Sequence, residues 1–176
     1  MTPRVLLIGM MGAGKSTVGD ALSARLGWPY LDSDLEIIRH TGMTVPEIFA
    51  ERGEASFRAE EARVLAEATT SDGPVVVSVA GGAVLAPDNR HRIAAGGLVV
   101  WLRAEVTTLA RRVGTGTGRP LLGADPAAAL ARLYTERRDL YAQLADVVID
   151  VDGQRVEDIA DAIVAALAER GVRADA

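Results

Sequence analysis

Residues 9–17, which read Gly-Met-Met-Gly-Ala-Gly-Lys-Ser-Thr, constrain this chain more than any other segment. They fit the pattern G-x-x-x-x-G-K-[ST], follow an apolar run at residues 5–8, and lead into a helical pattern from Thr17 to Leu26. A strand that leads through glycines into a helix leaves several backbone N–H groups unpaired at the positive end of that helix. The segment therefore predicts a cradle for phosphate groups, although a tight turn with an incidental lysine would show the same pattern.

Two side chains give this phosphate loop its chemistry. Lys15 would reach the β- and γ-phosphates of a nucleotide as a compact charge, and the Ser16 hydroxyl would bind Mg²⁺. Of the 19 lysine and arginine residues, 18 are arginine and Lys15 is the single lysine. We interpret this as a sign that a planar guanidinium does not fit the small site.

Composition excludes several other kinds of function. A chain of 176 residues suits one domain. The absence of cysteine excludes disulfides and thiolate metal sites, and a net charge of −5 argues against a broad surface for nucleic acid or anionic membrane. No segment approaches the ~20 apolar residues of a membrane span. We therefore expect a cytoplasmic monomer without nucleic-acid or membrane partners, in which anions bind at a local cluster of arginines.

Short apolar runs alternate with amphipathic segments along the chain, which is typical of a parallel sheet covered by helices on both faces. We predict a doubly wound α/β fold with five strands, in which ligands bind at the C-terminal ends of the strands. The strands are predicted at residues 5–8, 29–31, 75–79, 98–102 and 147–151, the last helix at 156–170, and a loose tail at 172–176. Thr44 and Glu47 predict a capping box that opens a short helix through Ala50, and another helix is predicted to follow from Glu54.

Asp32 and Asp34 follow the second predicted strand. Two residues apart at an extended strand end, their carboxylates would point to the same face, with Ser33 opposite. They would then lie beside the phosphate loop, one suited to Mg²⁺ through water and the other to a substrate hydroxyl. The alternative interpretation is that one of them caps the next helix.

Two further sites carry weaker signals. Arg58 lies one turn before Glu61 on a helix predicted over residues 54–67, so Glu61 can orient its guanidinium, although a surface salt bridge is the alternative. The third strand leads into Gly81 and Gly82, where glycine permits either a close approach to a ligand or a plain turn.

Residues 114–126 contain four glycines and two prolines around Arg119. This composition predicts a flap without regular structure, which could close over the phosphates and bring an arginine to the transferring group; a solvent loop is the alternative. Arg112 ends the preceding helix, where the helix dipole favours a cation with or without a ligand. Gln154 and Arg155 form a turn after the last strand and suit the rim of a nucleotide site.

In order and spacing, these residues resemble the shikimate kinases over nearly the whole chain. The markers are the phosphate loop, Asp32-x-Asp34, Phe57-Arg58-x-x-Glu61, Gly81-Gly82, Arg119-Pro120-Leu121-Leu122 and Arg137-x-x-Leu140-Tyr141. The resemblance implies a P-loop kinase fold similar to that of nucleoside monophosphate kinases. It also implies transfer of the ATP γ-phosphoryl group to the 3-hydroxyl of shikimate, on the route to chorismate and aromatic amino acids. One domain would cover residues 1–171, with a substrate-binding helical segment at about 33–62 and a mobile lid at about 113–126.

The resemblance also implies individual roles. Lys15, Asp34 and Arg119 would be catalytic, with Asp34 activating the hydroxyl and Arg119 acting from the lid. Shikimate would bind Asp34, Arg58, Gly81, Gly82 and Arg137, Mg²⁺ would bind Ser16 and Asp32, and ATP would bind Gly12, Ala13, Gly14, Lys15, Ser16, Thr17, Arg112, Arg119, Gln154 and Arg155.

Three departures from the family pattern leave alternatives open. Ala80 replaces the first of three successive glycines, which would strain the backbone at a positive φ or narrow the substrate pocket. Asp139 stands where the family has a proline, and Val156 where some members have one. The alternatives are a kinase of another polyol acid such as gluconate and a catalytically silent nucleotide-binding protein. A nucleoside monophosphate kinase is disfavoured by the acidic and arginine markers.

Overall fold

Five parallel strands form the central sheet of the computed structural model, which describes residues 3–171. They are β1 (Arg4–Ile8), β2 (Tyr30–Asp32), β3 (Val75–Ser78), β4 (Leu98–Arg103) and β5 (Val147–Asp150), and their order across the sheet is β2-β3-β1-β4-β5. The number and direction of the strands confirm the prediction, and their bounds differ from it by one residue or so. The predicted tail, residues 172–176, lies outside the described residues.

Seven α-helices within residues 3–171 cover the sheet. They are α1 (Lys15–Leu26), α2 (Ser33–Thr41), α3 (Val45–Thr70), α4 (Pro87–Gly96), α5 (Val106–Val113), α6 (Pro126–Leu144) and α7 (Val156–Glu169). Helix α1 packs on α7, whereas α4 packs on α3 and α6. The helices lie on both faces of the sheet, which confirms the doubly wound fold. None of them combines the length and apolar character that a membrane span requires.

The central strands explain why the functional groups meet at one edge. In β1, Leu6 and Leu7 are fully buried between the helical layers, and Leu7 lies beside Ser78 of β3. Asp32 of β2 lies on the other side of the same Ser78. Because parallel strands end at the same edge of a sheet, the segments that follow β1, β2 and β3 are neighbours.

Helix α3 contains a break that the sequence predicted as a gap between two helices. Gly53 has φ 79° and ψ 170°, a conformation that interrupts the helix and that glycine adopts without a steric penalty. The first part begins with the predicted capping box: Thr44 N–H donates to Glu47 Oε2 over 2.7 Å, and Glu47 N–H donates to the Thr44 hydroxyl.

The segment between α5 and α6 is more ordered than its composition suggested. We predicted no regular element there, which is wrong at Pro120–Leu122, where the chain forms a 3₁₀ turn. Proline fixes a φ that suits the turn, and Leu122 is buried in the main core. Arg119 precedes the turn and is exposed.

Candidate active site

A cavity of about 620 Å³ opens where β1, β2 and β3 end. Its position agrees with the rule that ligands bind outside the C-terminal edge of a parallel sheet. It brings together most of the residues singled out in the sequence. The exceptions are Ala13, which is a buried residue of the phosphate loop, and Gln154 and Arg155, none of which lines the cavity. The predicted residues on its wall are Gly12, Gly14, Lys15, Ser16, Thr17, Asp32, Asp34, Arg58, Gly81, Gly82, Arg112, Arg119 and Arg137.

The phosphate loop presents the start of α1 to this cavity. The helix begins at Lys15, two residues earlier than its pattern suggested, and Gly14 caps it in a left-handed conformation with φ 94°. Gly12 has φ 82°, so both glycines occupy backbone conformations that other residues rarely adopt. No side chain caps this helix N-terminus, which leaves its first N–H groups available to an anion.

The side chain of Lys15 folds back onto the phosphate loop. Its Nζ donates to the carbonyl oxygens of Gly9 and Met10 over 2.8 and 3.0 Å. Burial lowers the pKa of Lys15 to about 8, although the nearby carboxylates of Asp34 and Asp32 act in the opposite direction. The ammonium group is therefore held close to the cradle and is charged at neutral pH.

Asp32 and Asp34 reach the cavity by a different backbone path from the one predicted. The expectation of two carboxylates on one face of an extended strand is wrong, because α2 begins at Ser33 and Asp34 lies in its first turn. Asp32 is the cap of this helix, and its Oδ1 accepts from the N–H groups of Asp34 and Leu35 over 3.0 and 3.4 Å. Ser33 is buried, and its hydroxyl donates to the Ser78 carbonyl over 2.6 Å.

A hydroxyl network surrounds the second oxygen of Asp32. The Ser16 hydroxyl donates to Oδ2 over 2.9 Å, and the Tyr30 hydroxyl lies 3.2 Å from the same atom. Tyr30 also donates to the Ser78 hydroxyl over 2.8 Å, and Ser78 donates to the Lys15 carbonyl. Sequence reasoning missed Tyr30 and Ser78, although a serine within the apolar run of β3 was a signal for a buried polar contact.

The carboxylate of Asp34 is accessible from the cavity. The protein walls around it, together with the negative charge of Asp32, raise the pKa of Asp34 above its ordinary value, against the effect of Lys15, Arg119 and Arg58. A carboxylate with a raised pKa accepts a proton more readily than an ordinary surface aspartate. Asp34 is thus suited to bind a hydroxyl group as a hydrogen-bond acceptor.

Arg58 forms an ion pair that is buried on its acidic side. Its Nη1 lies 2.6 Å from Oε2 of Glu61, whose side chain is only 2% exposed, so the alternative of a surface salt bridge is wrong. Burial raises the pKa of Glu61 to about 7, although Arg58 acts in the opposite direction. Gly82 has an ordinary φ of −87°, and a Cβ there would overlap the Arg58 guanidinium, so glycine leaves the space in which the guanidinium lies beside Glu61.

Arg137 is a buried cation on the wall of the cavity. The residue is 2% exposed, and no ion pair joins it to another residue of the described chain. Its Nε has no hydrogen-bond partner within residues 3–171. Because an unpaired charge is costly to bury, its place on the cavity wall indicates a site for an anionic ligand.

Ala80 does not strain the backbone. No residue other than glycine has a positive φ in residues 3–171, so the first effect considered for this substitution is wrong. Ala80 is buried and lines the cavity, where its methyl group occupies space beside Gly81. The substitution can therefore act on the shape of the pocket, and it leaves the backbone conformation unstrained.

The residues expected around adenine are only partly on the cavity. Arg112 lines it and donates from Nη1 to the Gly12 carbonyl over 3.2 Å. Gln154 donates from Nε2 to the Asp150 carbonyl over 2.6 Å, and Arg155 lies exposed beside Glu157. The structure holds Gln154 within its own turn, and an adenine contact by Gln154 or Arg155 stays a prediction.

A glycine-rich phosphate loop that joins the central strand of a doubly wound parallel sheet to its first helix defines the P-loop proteins. Since the adjoining cavity carries carboxylates and arginines for an acceptor molecule, the chain has the architecture of a P-loop kinase. Comparison with known proteins identifies the kinase family. The family model for shikimate kinase matches residues 11–168, and the chain belongs to the shikimate kinase family.

Individual relatives support this assignment over nearly the whole chain. The shikimate kinase of Ruegeria pomeroyi is 48% identical over 168 residues, which cover 94% of this chain and 85% of the relative. The shikimate kinase of Halorhodospira halophila is 48% identical over 93% of both chains. The structure of the Acinetobacter baumannii shikimate kinase in complex with shikimate matches with a TM-score of 0.91 and 36% identity, over 98% of this chain and 97% of the other.

Proposed function

We propose that the protein transfers the γ-phosphoryl group of ATP to the 3-hydroxyl of shikimate, which yields shikimate 3-phosphate for the synthesis of chorismate and aromatic amino acids. The observation behind this proposal is that Arg137 is buried on the cavity wall and has no anionic partner among the described residues. Such a guanidinium is a site for the carboxylate of a small acid. Gluconate, the alternative acceptor, is not favoured by the relatives.

On the acceptor side, Arg137 and Arg58 would clamp the carboxylate, and Gly81 and Gly82 would approach it through the backbone. Glu61 holds Arg58 in place from its buried side. Asp34 would accept a hydrogen bond from the reacting hydroxyl and orient it toward the phosphate loop. Such orientation supplies much of the rate in phosphoryl transfer, because the loose transition state requires little covalent assistance from the protein.

On the donor side, the start of α1 and Lys15 would bind the β- and γ-phosphates of ATP. The residues also fit Mg²⁺, since the Ser16 hydroxyl and the Asp32 carboxylate meet at 2.9 Å and oxygen atoms are the ligands that this ion prefers. Mg²⁺ would neutralise phosphate charge when bound. Tyr30 and the helix cap fix the orientation of Asp32 before any ligand arrives.

Residues 113–126 would act as the lid of a single domain, with residues 33–62 as its substrate-binding segment. Arg119 precedes the 3₁₀ turn, is exposed and lines the cavity, so a modest movement would bring it to the transferring phosphoryl group. Arg112, together with Gln154 and Arg155, would flank the adenine ring.

Release of ADP from MgATP by the purified protein tests the proposal, with shikimate, gluconate or no acceptor added. We expect shikimate-dependent turnover, and phosphorus–proton NMR correlation should place the new phosphate on the 3-oxygen. Turnover with gluconate and none with shikimate would show that the two arginines bind the carboxylate of a different acid. Tight ATP binding without turnover would favour a silent nucleotide-binding protein.

A further inference from the structure

Tyr141 is a buried residue whose hydroxyl contacts the segment after β3. It lies one turn beyond Arg137 on α6, and its ring packs against Trp101 with 5.7 Å between the ring centroids. Its hydroxyl donates to the carbonyl oxygen of Gly81 over 2.7 Å and lies 3.8 Å from Sδ of Met10. The helix that carries the buried cation thus also holds this glycine segment.

The hydrogen bond fixes one peptide unit, the one that joins Gly81 to Gly82. Every peptide bond of the described chain is trans, so the N–H of Gly82 points away from the oxygen that Tyr141 holds. Gly82 lies against the Arg58 guanidinium, which a Cβ would overlap. Neither glycine N–H donates to another residue within 3–171. The Tyr141 hydroxyl therefore fixes the position of the unused Gly82 N–H on the opposite side of the peptide.

The same contact affects the strength of that donor. A carbonyl that accepts a hydrogen bond polarises its own amide, so the N–H on the opposite side becomes a better donor to an anion. The segment also has little room to rearrange: a Cβ on Gly81 would lie 3.2 Å from the Gly9 carbonyl oxygen and 3.4 Å from the Tyr141 hydroxyl. Gly81 is packed between the phosphate loop and α6.

We propose that Tyr141 is a positioning residue for the acceptor substrate. It fixes and polarises the Gly81–Gly82 peptide so that the Gly82 N–H donates to the carboxylate that Arg58 and Arg137 clamp. The inference rests on the proposed function, because it takes the acceptor to be a small carboxylic acid. Tyr141 itself does not contact the substrate, so its effect should fall on acceptor binding and leave ATP binding unchanged.

The variant Tyr141→Phe keeps the ring and its packing on Trp101 and removes only the hydroxyl. We expect the KM for shikimate to rise about three- to tenfold, the effect of one lost neutral hydrogen bond, with the KM for ATP changed less than about twofold. The matched control is Tyr134→Phe, the same substitution on α6 at a partly buried tyrosine that does not line the cavity. This control should change neither constant.

Amide exchange followed by NMR tests the positioning without substrate. Ala83 donates to the Ala80 carbonyl and Leu85 donates to the Gly82 carbonyl, so their N–H groups report on the order of the segment. Both should exchange about tenfold faster in Tyr141→Phe than in Tyr134→Phe, because a lost hydrogen bond makes local opening easier.

Three results would overturn the inference: an unchanged KM for shikimate, equal rises in both KM values, or a Tyr141→Phe protein that does not fold. Lack of shikimate-dependent turnover in the unmodified protein would refute the proposed function. In that case the exchange rates still decide whether Tyr141 positions the segment, and unchanged rates would refute that role.

Discussion

Glu61 should make the stability of the protein depend on pH in a direction opposite to that of most carboxylates. The pKa of this side chain rises from 4.5 to about 7, because burial disfavours its charge more than Arg58 favours it. The folded state therefore binds more protons than the unfolded chain between these pH values. The contribution of Glu61 to stability is fully present below pH 4.5 and is lost as pH rises through 7.

The size of the effect follows from the same pKa values. At about 1.4 kcal/mol per pKa unit, a rise from 4.5 to about 7 corresponds to roughly 3 to 4 kcal/mol, most of which is lost between about pH 5 and pH 8. The substitution Glu61→Gln preserves shape and removes the titration. Since Arg58 keeps its contact with Glu54 at 3.0 Å and is partly exposed, it does not become a buried unpaired charge.

Urea unfolding at several pH values, followed by the fluorescence of Trp28 and Trp101, measures how the free energy of unfolding of each protein depends on pH. The free energy of unfolding of Glu61→Gln minus that of the unmodified protein should increase by about 2 to 3 kcal/mol between about pH 5 and pH 8. The control is Glu51→Gln, an exposed position on the same helix, for which the difference should not depend on pH. A flat difference for Glu61→Gln would refute the reasoning, because it would show that Arg58 compensates fully for burial.

Three further predictions concern ligand binding and the chemical step. Arg119→Ala should lower kcat by about 10³-fold in steady-state assays, because an arginine that stabilises phosphoryl transfer contributes at least this much. A nearly unchanged kcat would show that the lid covers the site without contributing to the chemical step. Arg137→Met should raise the KM for shikimate about 30-fold or more, since a buried charge-assisted contact is lost, while the exposed Arg138→Met should not; equal effects would contradict the carboxylate clamp. Calorimetric affinity for MgATP should fall about tenfold between about pH 7 and pH 9, because Lys15, with a pKa of about 8, loses the proton that the phosphates require; a flat profile would show that Lys15 does not bind them.

Local patterns in the sequence predicted the phosphate loop and the helix caps because such features depend on neighbouring residues. The spacing of glycines around Lys15 predicted a strand, a loop and a helix, and Thr44 with Glu47 predicted a helix start. Asp32 and Asp34 show where this approach failed. The local sequence fits both an extended strand end and a helix capped by Asp32. The structure has the capped helix, in which the Ser33 hydroxyl also donates to the Ser78 carbonyl 45 residues away.

Resemblance to the shikimate kinases implied which ligands residues such as Arg58 and Arg137 bind, and the comparisons confirmed the family. It did not indicate how those side chains are held. The burial of Glu61 behind Arg58 and the space that Gly82 leaves for the guanidinium emerged only from the packed structure. Each requires the distance between side chains on different segments, which sequence spacing does not supply.

The sequence by itself determined the alternation of strands and helices, the phosphate loop and the set of polar groups available for catalysis. These depend on hydrophobic periodicity and on backbone conformations within a few residues. The tertiary structure decided that Arg137 is buried without a carboxylate partner in the described chain, that Glu61 has a raised pKa, and that Tyr141 holds the Gly81 carbonyl from 60 residues away. The physical reason is that burial and charge coupling arise from contacts between distant segments, which exist only once the chain is folded.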